Sequence, residues 1–176
     1  MSFFDYWKGK VFFEEILLSI LTHIQTNHKQ FKEIKAMNNN QISLVKNSFA
    51  LVAKIPAETV GELFYNHLFE IAPEVRPMFR NDMPEQSRKL ISMLSFVISK
   101  LDNLESIIEE VGKLAKRHIK YGVDAKHYQP VGAALLWTLE QGLGSNWNEE
   151  VKTSWTLCYV TLSNAMIEAC EEVEVV

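Results

Sequence analysis

Leu104-Glu-Ser-Ile-Ile-Glu-Glu-Val-Gly-Lys-Leu-Ala-Lys-Arg-His118, followed by Ile119-Lys-Tyr-Gly122, is the stretch on which the fold turns. It reads as a helix closed by glycine, with a histidine near its end. Alone, His118 has a plain explanation, because a protonated imidazole is favoured at a helix C-terminus. Its company at fixed offsets is more informative. Tyr65 lies in Leu63-Phe-Tyr-Asn-His-Leu-Phe69, Phe79 closes Pro73-Glu-Val-Arg-Pro-Met-Phe79, and Gln86 lies in Pro84-Glu-Gln-Ser-Arg-Lys-Leu90.

Helical periodicity runs outward from these segments in both directions. Leu90, Met93, Leu94, Val97, Ile98 and Leu101 fall on one face of 84–101, and Val151, Trp155, Tyr159, Leu162 and Met166 on one face of 148–171. Strand signals are scarce. Pro56, Pro84 and Pro130 suit early helix turns, while Pro73 and Pro77 bracket a short turn-like piece. The pattern predicts helices near 10–26, 40–54, 56–71, 73–79, 84–101, 104–120, 125–142 and 148–172. That is an all-α protein with short loops. The polar tract Lys35-Ala-Met-Asn-Asn-Asn40 sets the softest boundary, giving a helical extension over 1–38 and a main domain over 39–176.

The chain has 176 residues, 47% of them hydrophobic and 23% charged, with a net charge of -4. These values fit one domain with a substantial core. The charge and the lack of a long basic run argue against nucleic-acid binding. Cys158 and Cys170 fall twelve positions apart in one predicted helix, about 18 Å, too far for a disulfide within it. A reducing compartment is expected, hence a cytoplasmic location. The run Val11–Ile24 carries Glu14 and Glu15 and is shorter than the roughly 20 apolar residues of a spanning helix; no cleavage signature follows it. Phosphate loops, CxxC, HExxH and nucleophile elbows are absent from the sequence. Any chemistry must then come from a cofactor or a surface.

From about Asn39 to Glu171 the chain resembles the globins. It is most similar to single-domain bacterial haemoglobins, including the Hell's Gate type, and to the globin domain of flavohaemoglobins. The resemblance rests on the segments quoted above, with Gln86-Ser-Arg-Lys-Leu90, Asp102-Asn-Leu104, Arg117-His118 through Tyr128, and Val131-Gly132. It implies a three-on-three helical sandwich that binds haem b, with His118 as the iron ligand. Phe79, Leu90, Val123, Tyr128 and Val131 would contact the haem. Tyr65, Gln86 and Leu90 would face a bound oxygen, nitric oxide or carbon monoxide. Gly61, one turn before Tyr65, falls where the family places a small residue at a helix crossing, with Ser87 as its partner. The second nitrogen of His118 would donate to the Leu114 carbonyl. His67, two residues from Tyr65, should face away and leave the iron five-coordinate. Lys113, Lys116, Arg117 and Lys120 surround the ligand and would either pair with haem propionates or form a solvated helix face.

The sequence also departs from the family. Flavohaemoglobins pair the proximal histidine with a tyrosine and a glutamate; Tyr128 matches the tyrosine, but Cys170 stands where the glutamate is expected, with Glu171 one position on. Less electron density reaches the iron, which disfavours peroxidase-like chemistry. Reversible gas binding for storage, delivery or scavenging is the first functional expectation. A nitric oxide dioxygenase served by a separate reductase is the second. A gas sensor signalling through the apolar residues of 1–38 is the third, and that extension is expected to support homodimerisation or to pack on the domain.

Overall fold

The computed structural model describes residues 37–79 and 82–174. The predicted helix over 10–26 and nearly all of the extension over 1–38 lie outside them. Six α-helices occur among the described residues: α1 Asn39–Val52, α2 Ala57–Ile71, α3 Met83–Ser99, α4 Ile108–Lys120, α5 Tyr128–Leu143 and α6 Glu149–Glu174. Four short 3-10 turns connect them, and no strand is present among the described residues. None of these helices is long and apolar enough to cross a membrane.

Each boundary has a local cause. A capping box opens α1: the Asn38 side chain accepts from the Gln41 amide at 2.9 Å, and the Gln41 side chain accepts from the Asn38 amide at 2.9 Å. Pro84 occupies the first turn of α3, where its missing N–H costs nothing. Pro73–Met78 is a 3-10 turn with a proline at each end of its core, so it stays one short coil between α2 and α3. The helix expected over 104–120 starts later. Asn103 is non-helical (φ -149°, ψ 71°) and kinks the 3-10 segment Leu101–Ile107 that precedes α4. Likewise 125–127 is a 3-10 turn capped by Asp124, and α5 proper starts at Tyr128.

The helices pack in two layers that exchange partners. α2 lies across α3 and α5, whereas α6 receives α4 and α1. The i, i+3, i+7 apolar stripe of α1 (Ile42, Val45, Phe49, Val52) is buried. The fully buried Trp155 of α6 donates its indole N–H to the Ser48 hydroxyl at 2.9 Å, which satisfies its one polar atom inside the core. A Lys46–Asp102 ion pair ties α1 to the turn before α4. α2 and α3 approach closely at Gly61. A Cβ there would stand 2.1 Å from the Ser87 hydroxyl and 2.7 Å from its Cα. Only hydrogen fits, as expected from the sequence.

One expectation about α3 does not hold. The face predicted to hold Leu90, Met93, Leu94, Val97, Ile98 and Leu101 is not buried as one, for Met93 is 36% exposed while Val97, Ile98 and Leu101 are buried. At 100° per residue α3 has an inner stripe (Ser87, Leu94, Ile98) and a flanking stripe (Gln86, Leu90, Met93). The inner stripe packs on α2, and Gln86 and Leu90 of the flanking stripe are only half-buried.

Candidate functional site

The sequence-predicted site residues fall into two groups of side chains, built on different layers. The first is built on α2. Tyr65 is 5% exposed and sits within an aromatic cluster. Its ring meets Phe79 edge-on at 5.2 Å, Phe64 edge-on at 5.0 Å and Phe69 in a stack at 5.9 Å. These contacts hold the phenol in one place, and its hydroxyl donates to the main-chain carbonyl of Gln86 at 3.4 Å. That bond is long and weak. Burial pushes the Tyr65 hydroxyl up to about 12, so it remains a proton donor throughout the neutral range. Tyr65, Phe79 and Gln86, separated in sequence by the turn Pro73–Met78, are thereby brought together. His67 does turn away: its ring stacks on Trp137 of α5 at 4.2 Å and its Nδ1 lies 3.2 Å from Glu70.

The second group is built on the end of α4. His118 Nδ1 lies 2.9 Å from the Leu114 carbonyl. A carbonyl can only accept, so Nδ1 carries a proton, and in the neutral ring the lone pair is then on Nε2. The helix then closes in a Schellman motif. The Gly122 amide donates to Ile119 at 2.9 Å, the Val123 amide donates to His118 at 3.1 Å, and Gly122 adopts φ 83°. This motif ties the Val123 amide to the His118 carbonyl. Beyond it, the Asp124 amide donates to His127 Nδ1 at 2.9 Å and the Asp124 carboxylate accepts from the Lys126 amide at 2.9 Å, which sets the entry of α5.

Tyr128 and Val131 lie in the first turns of α5. A contact invisible in the sequence pattern holds them. Tyr159 of α6 donates its hydroxyl to the Tyr128 carbonyl at 2.5 Å, and its ring lies so close to Gly132 that a Cβ there would be 2.5 Å away. Burial keeps this hydroxyl protonated far above the ordinary phenol range. The only hint of it in the sequence is a glycine in the first turns of a helix. Sequence periodicity assigned Tyr159 simply to the core.

Phe79, Gln86, Leu90, His118, Val123, Tyr128 and Val131 are all half-buried, although most of them are apolar. α3 takes its packing chiefly from α2, and α4 takes its packing from α6. The two helices that carry Gln86, Leu90 and His118 therefore do not close on each other. A cleft of about 410 Å³ adjoins the aromatic cluster, lined by Phe69, Pro73, Arg76, Pro77, Phe79 and Met83.

Family membership follows from the comparisons. The globin family model matches residues 62–166, and the chain belongs to that family. It is 30% identical to an anaerobic nitrite reductase of Gossypium hirsutum over 80% of this chain and 96% of that protein. It is 25% identical to a flavohaemoprotein of Vibrio cholerae over 75% of this chain, yet it spans only 34% of that longer protein. A bacterial globin from Campylobacter jejuni superposes with a TM-score of 0.69 at 27% identity, covering 79% of this chain and 100% of that one. An engineered carbene transferase from Rhodothermus marinus superposes with a TM-score of 0.70 at 24% identity, covering 79% and 96%. The globin fold implies a haem pocket, and the residues fit one. Among the described residues no group of three or more His, Cys, Asp or Glu could hold an ion. One imidazole with an oriented Nε2 suits a metal that brings its remaining ligands with it, as a porphyrin iron does.

Proposed function

We propose that this protein binds haem b through His118 Nε2 and uses it to bind oxygen and related diatomic gases reversibly. The observation that carries the reading is the His118–Leu114 hydrogen bond, which fixes the tautomer that leaves Nε2 free to ligate. The bound haem supplies the iron on which a gas is held, and the rest is done by the chain. Leu114 keeps the imidazole aligned, and Gly122 and Val123 hold the end of α4 against rotation. Phe79, Leu90, Val123, Tyr128 and Val131, all half-buried, would offer apolar surface to the haem. On the distal side the Tyr65 proton is the available donor. It has one hydrogen, now lent to the Gln86 carbonyl at 3.4 Å. A gas carrying partial negative charge would be the better acceptor, and the Tyr65 hydroxyl would be the donor to it. The Gln86 amide would supply a second donor.

Within the family, likeness to single-domain bacterial haemoglobins and flavohaemoglobin globin domains supports this assignment. Its test is the oxygen dissociation rate of the ferrous protein. Slow release that accelerates in Tyr65→Phe supports the reading; fast release that ignores the substitution contradicts it. A second reading is turnover of nitrogen oxides with electrons from a separate protein. The plant relative's name, anaerobic nitrite reductase, favours it, as do the distal donors, which suit a nitric oxide dioxygenase equally well. Sustained consumption of nitrite or nitric oxide with a reductase present would separate this reading from simple binding.

A further inference from the structure

α4 carries a second pattern besides the one that bears His118. Lys113, Lys116, Arg117 and Lys120 stand at i, i+3, i+4 and i+7, and all four are exposed. At that spacing they form one stripe along the outer face of the helix. Val111 and Ala115 are buried on the opposite side. No acidic residue occurs between Val111 and Val123. Among the described residues, Lys116, Arg117 and Lys120 have no acidic partner. The rest of the chain, with 14 basic and 22 acidic residues, is net negative. A run of four cations is thus a local departure from the charge of the whole.

The helix dipole explains only part of it. Arg117 and Lys120 lie in the last turn, where cations are stabilised. Lys113 and Lys116 lie outside that turn, and the effect fades beyond it. Tyr121, 64% exposed, sits beside Arg117 at the end of the stripe. Tyrosine and arginine are the residues that anchor protein interfaces. Apart from Tyr121, no exposed large apolar side chain lies on α4 among the described residues, so the helix lacks the apolar face that membrane insertion needs.

We propose that this stripe docks a small acidic electron-transfer protein. The redox character of the partner rests on the haem reading above. The stripe is on the helix that carries His118, and a helix is only about 10–12 Å across. A partner on its outer face therefore sits about one helix diameter from the imidazole. The Vibrio cholerae relative joins a flavin to a haem in its very name, and this chain matches 34% of it. Complementary charge would steer such a partner on from solution, an effect worth roughly ten- to a thousandfold in association rate and lost as salt rises.

The test titrates a fluorescently labelled flavodoxin, an acidic flavin protein, with full-length holoprotein and follows anisotropy at low and physiological salt. Binding at low salt is expected to weaken at least about tenfold at physiological salt. It should weaken as much in a Lys116→Glu/Arg117→Glu/Lys120→Glu variant, and less in the corresponding triple glutamine variant. The Soret band and helical circular dichroism of each sample are recorded alongside. Lost binding with both signals intact supports docking at the stripe. Equal binding by wild type and both variants overturns the proposal, and so does no binding at low salt. Reversal-sensitive binding to phosphatidylglycerol vesicles without binding to flavodoxin overturns it in favour of a lipid surface. A wild type lacking a Soret band refutes the haem reading alone, because the anisotropy still reads docking.

Discussion

Gly61 and Ser87 set the spacing of α2 and α3, and hence of Tyr65 and Gln86, so Gly61→Ala is an informative perturbation. The added Cβ would meet the Ser87 Oγ at 2.1 Å, its Cβ at 2.2 Å and its Cα at 2.7 Å. A hydroxyl could rotate aside, but a main-chain carbon cannot, so the helices must separate. Overpacking of this kind costs about 1–3 kcal/mol. Alanine returns up to about 1 kcal/mol of helix propensity relative to glycine. The expected net loss is about 1–2 kcal/mol, a fall in Tm of roughly 2–8 °C for a domain of this size. Ser87→Gly in the same chain removes two of the three close contacts and should recover part of the loss. Urea unfolding of the haem-free proteins measures this without interference from ligand. If Gly61→Ala proves as stable as the wild type, the helix crossing is looser than described, and the argument that it positions Tyr65 over Gln86 fails.

Tyr65→Phe removes the buried donor. A hydrogen bond to a charged acceptor is worth about 1.5–3 kcal/mol, and a bond as long as Tyr65–Gln86 returns about 0.5 kcal/mol or less. Oxygen release, read by displacement with carbon monoxide in stopped flow, should therefore accelerate roughly fivefold to sixtyfold. The same hydroxyl contributes to stability at alkaline pH. Its proton is held more tightly folded than unfolded, with the folded value at about 12 against about 10 for a free phenol. This contribution is complete below about pH 10 and is lost as pH rises through about 12, amounting to about 3 kcal/mol. Urea midpoints between those pH values should fall more steeply for wild type than for Tyr65→Phe; parallel slopes would refute the assignment. Gly122→Ala forces a side chain into φ 83° and should cost about 1–2 kcal/mol. Equal urea midpoints for Gly122→Ala and wild type would count against the helix-closing role.

The sequence disclosed the parts of this site that depend on short offsets. Leu114 is one turn from His118 and Gly122 stands where a helix must close, and both follow from helical geometry; the Gly61–Ser87 crossing was legible only through the resemblance to the globins. Boundaries were harder. Nothing in Asp102-Asn-Leu104 announces that Asn103 leaves the helical conformation, so α4 starts four residues later than its periodicity suggests. Long-range contacts were hardest. Tyr159 reaches Tyr128 across 31 positions and rests on Gly132, a relation that exists only once α5 and α6 have packed. The same holds for Met93: period alone cannot say which of two neighbouring stripes on α3 meets α2.

Absorption spectroscopy of His118→Ala beside the wild type tests the central claim most directly. The wild type should purify with, or take up, haem and show a Soret band with a five-coordinate ferrous spectrum. His118→Ala should lose or distort that spectrum, and free imidazole should restore it by filling the vacated position. A variant whose ferrous and carbon monoxide spectra match those of the wild type would show that His118 is not the ligand.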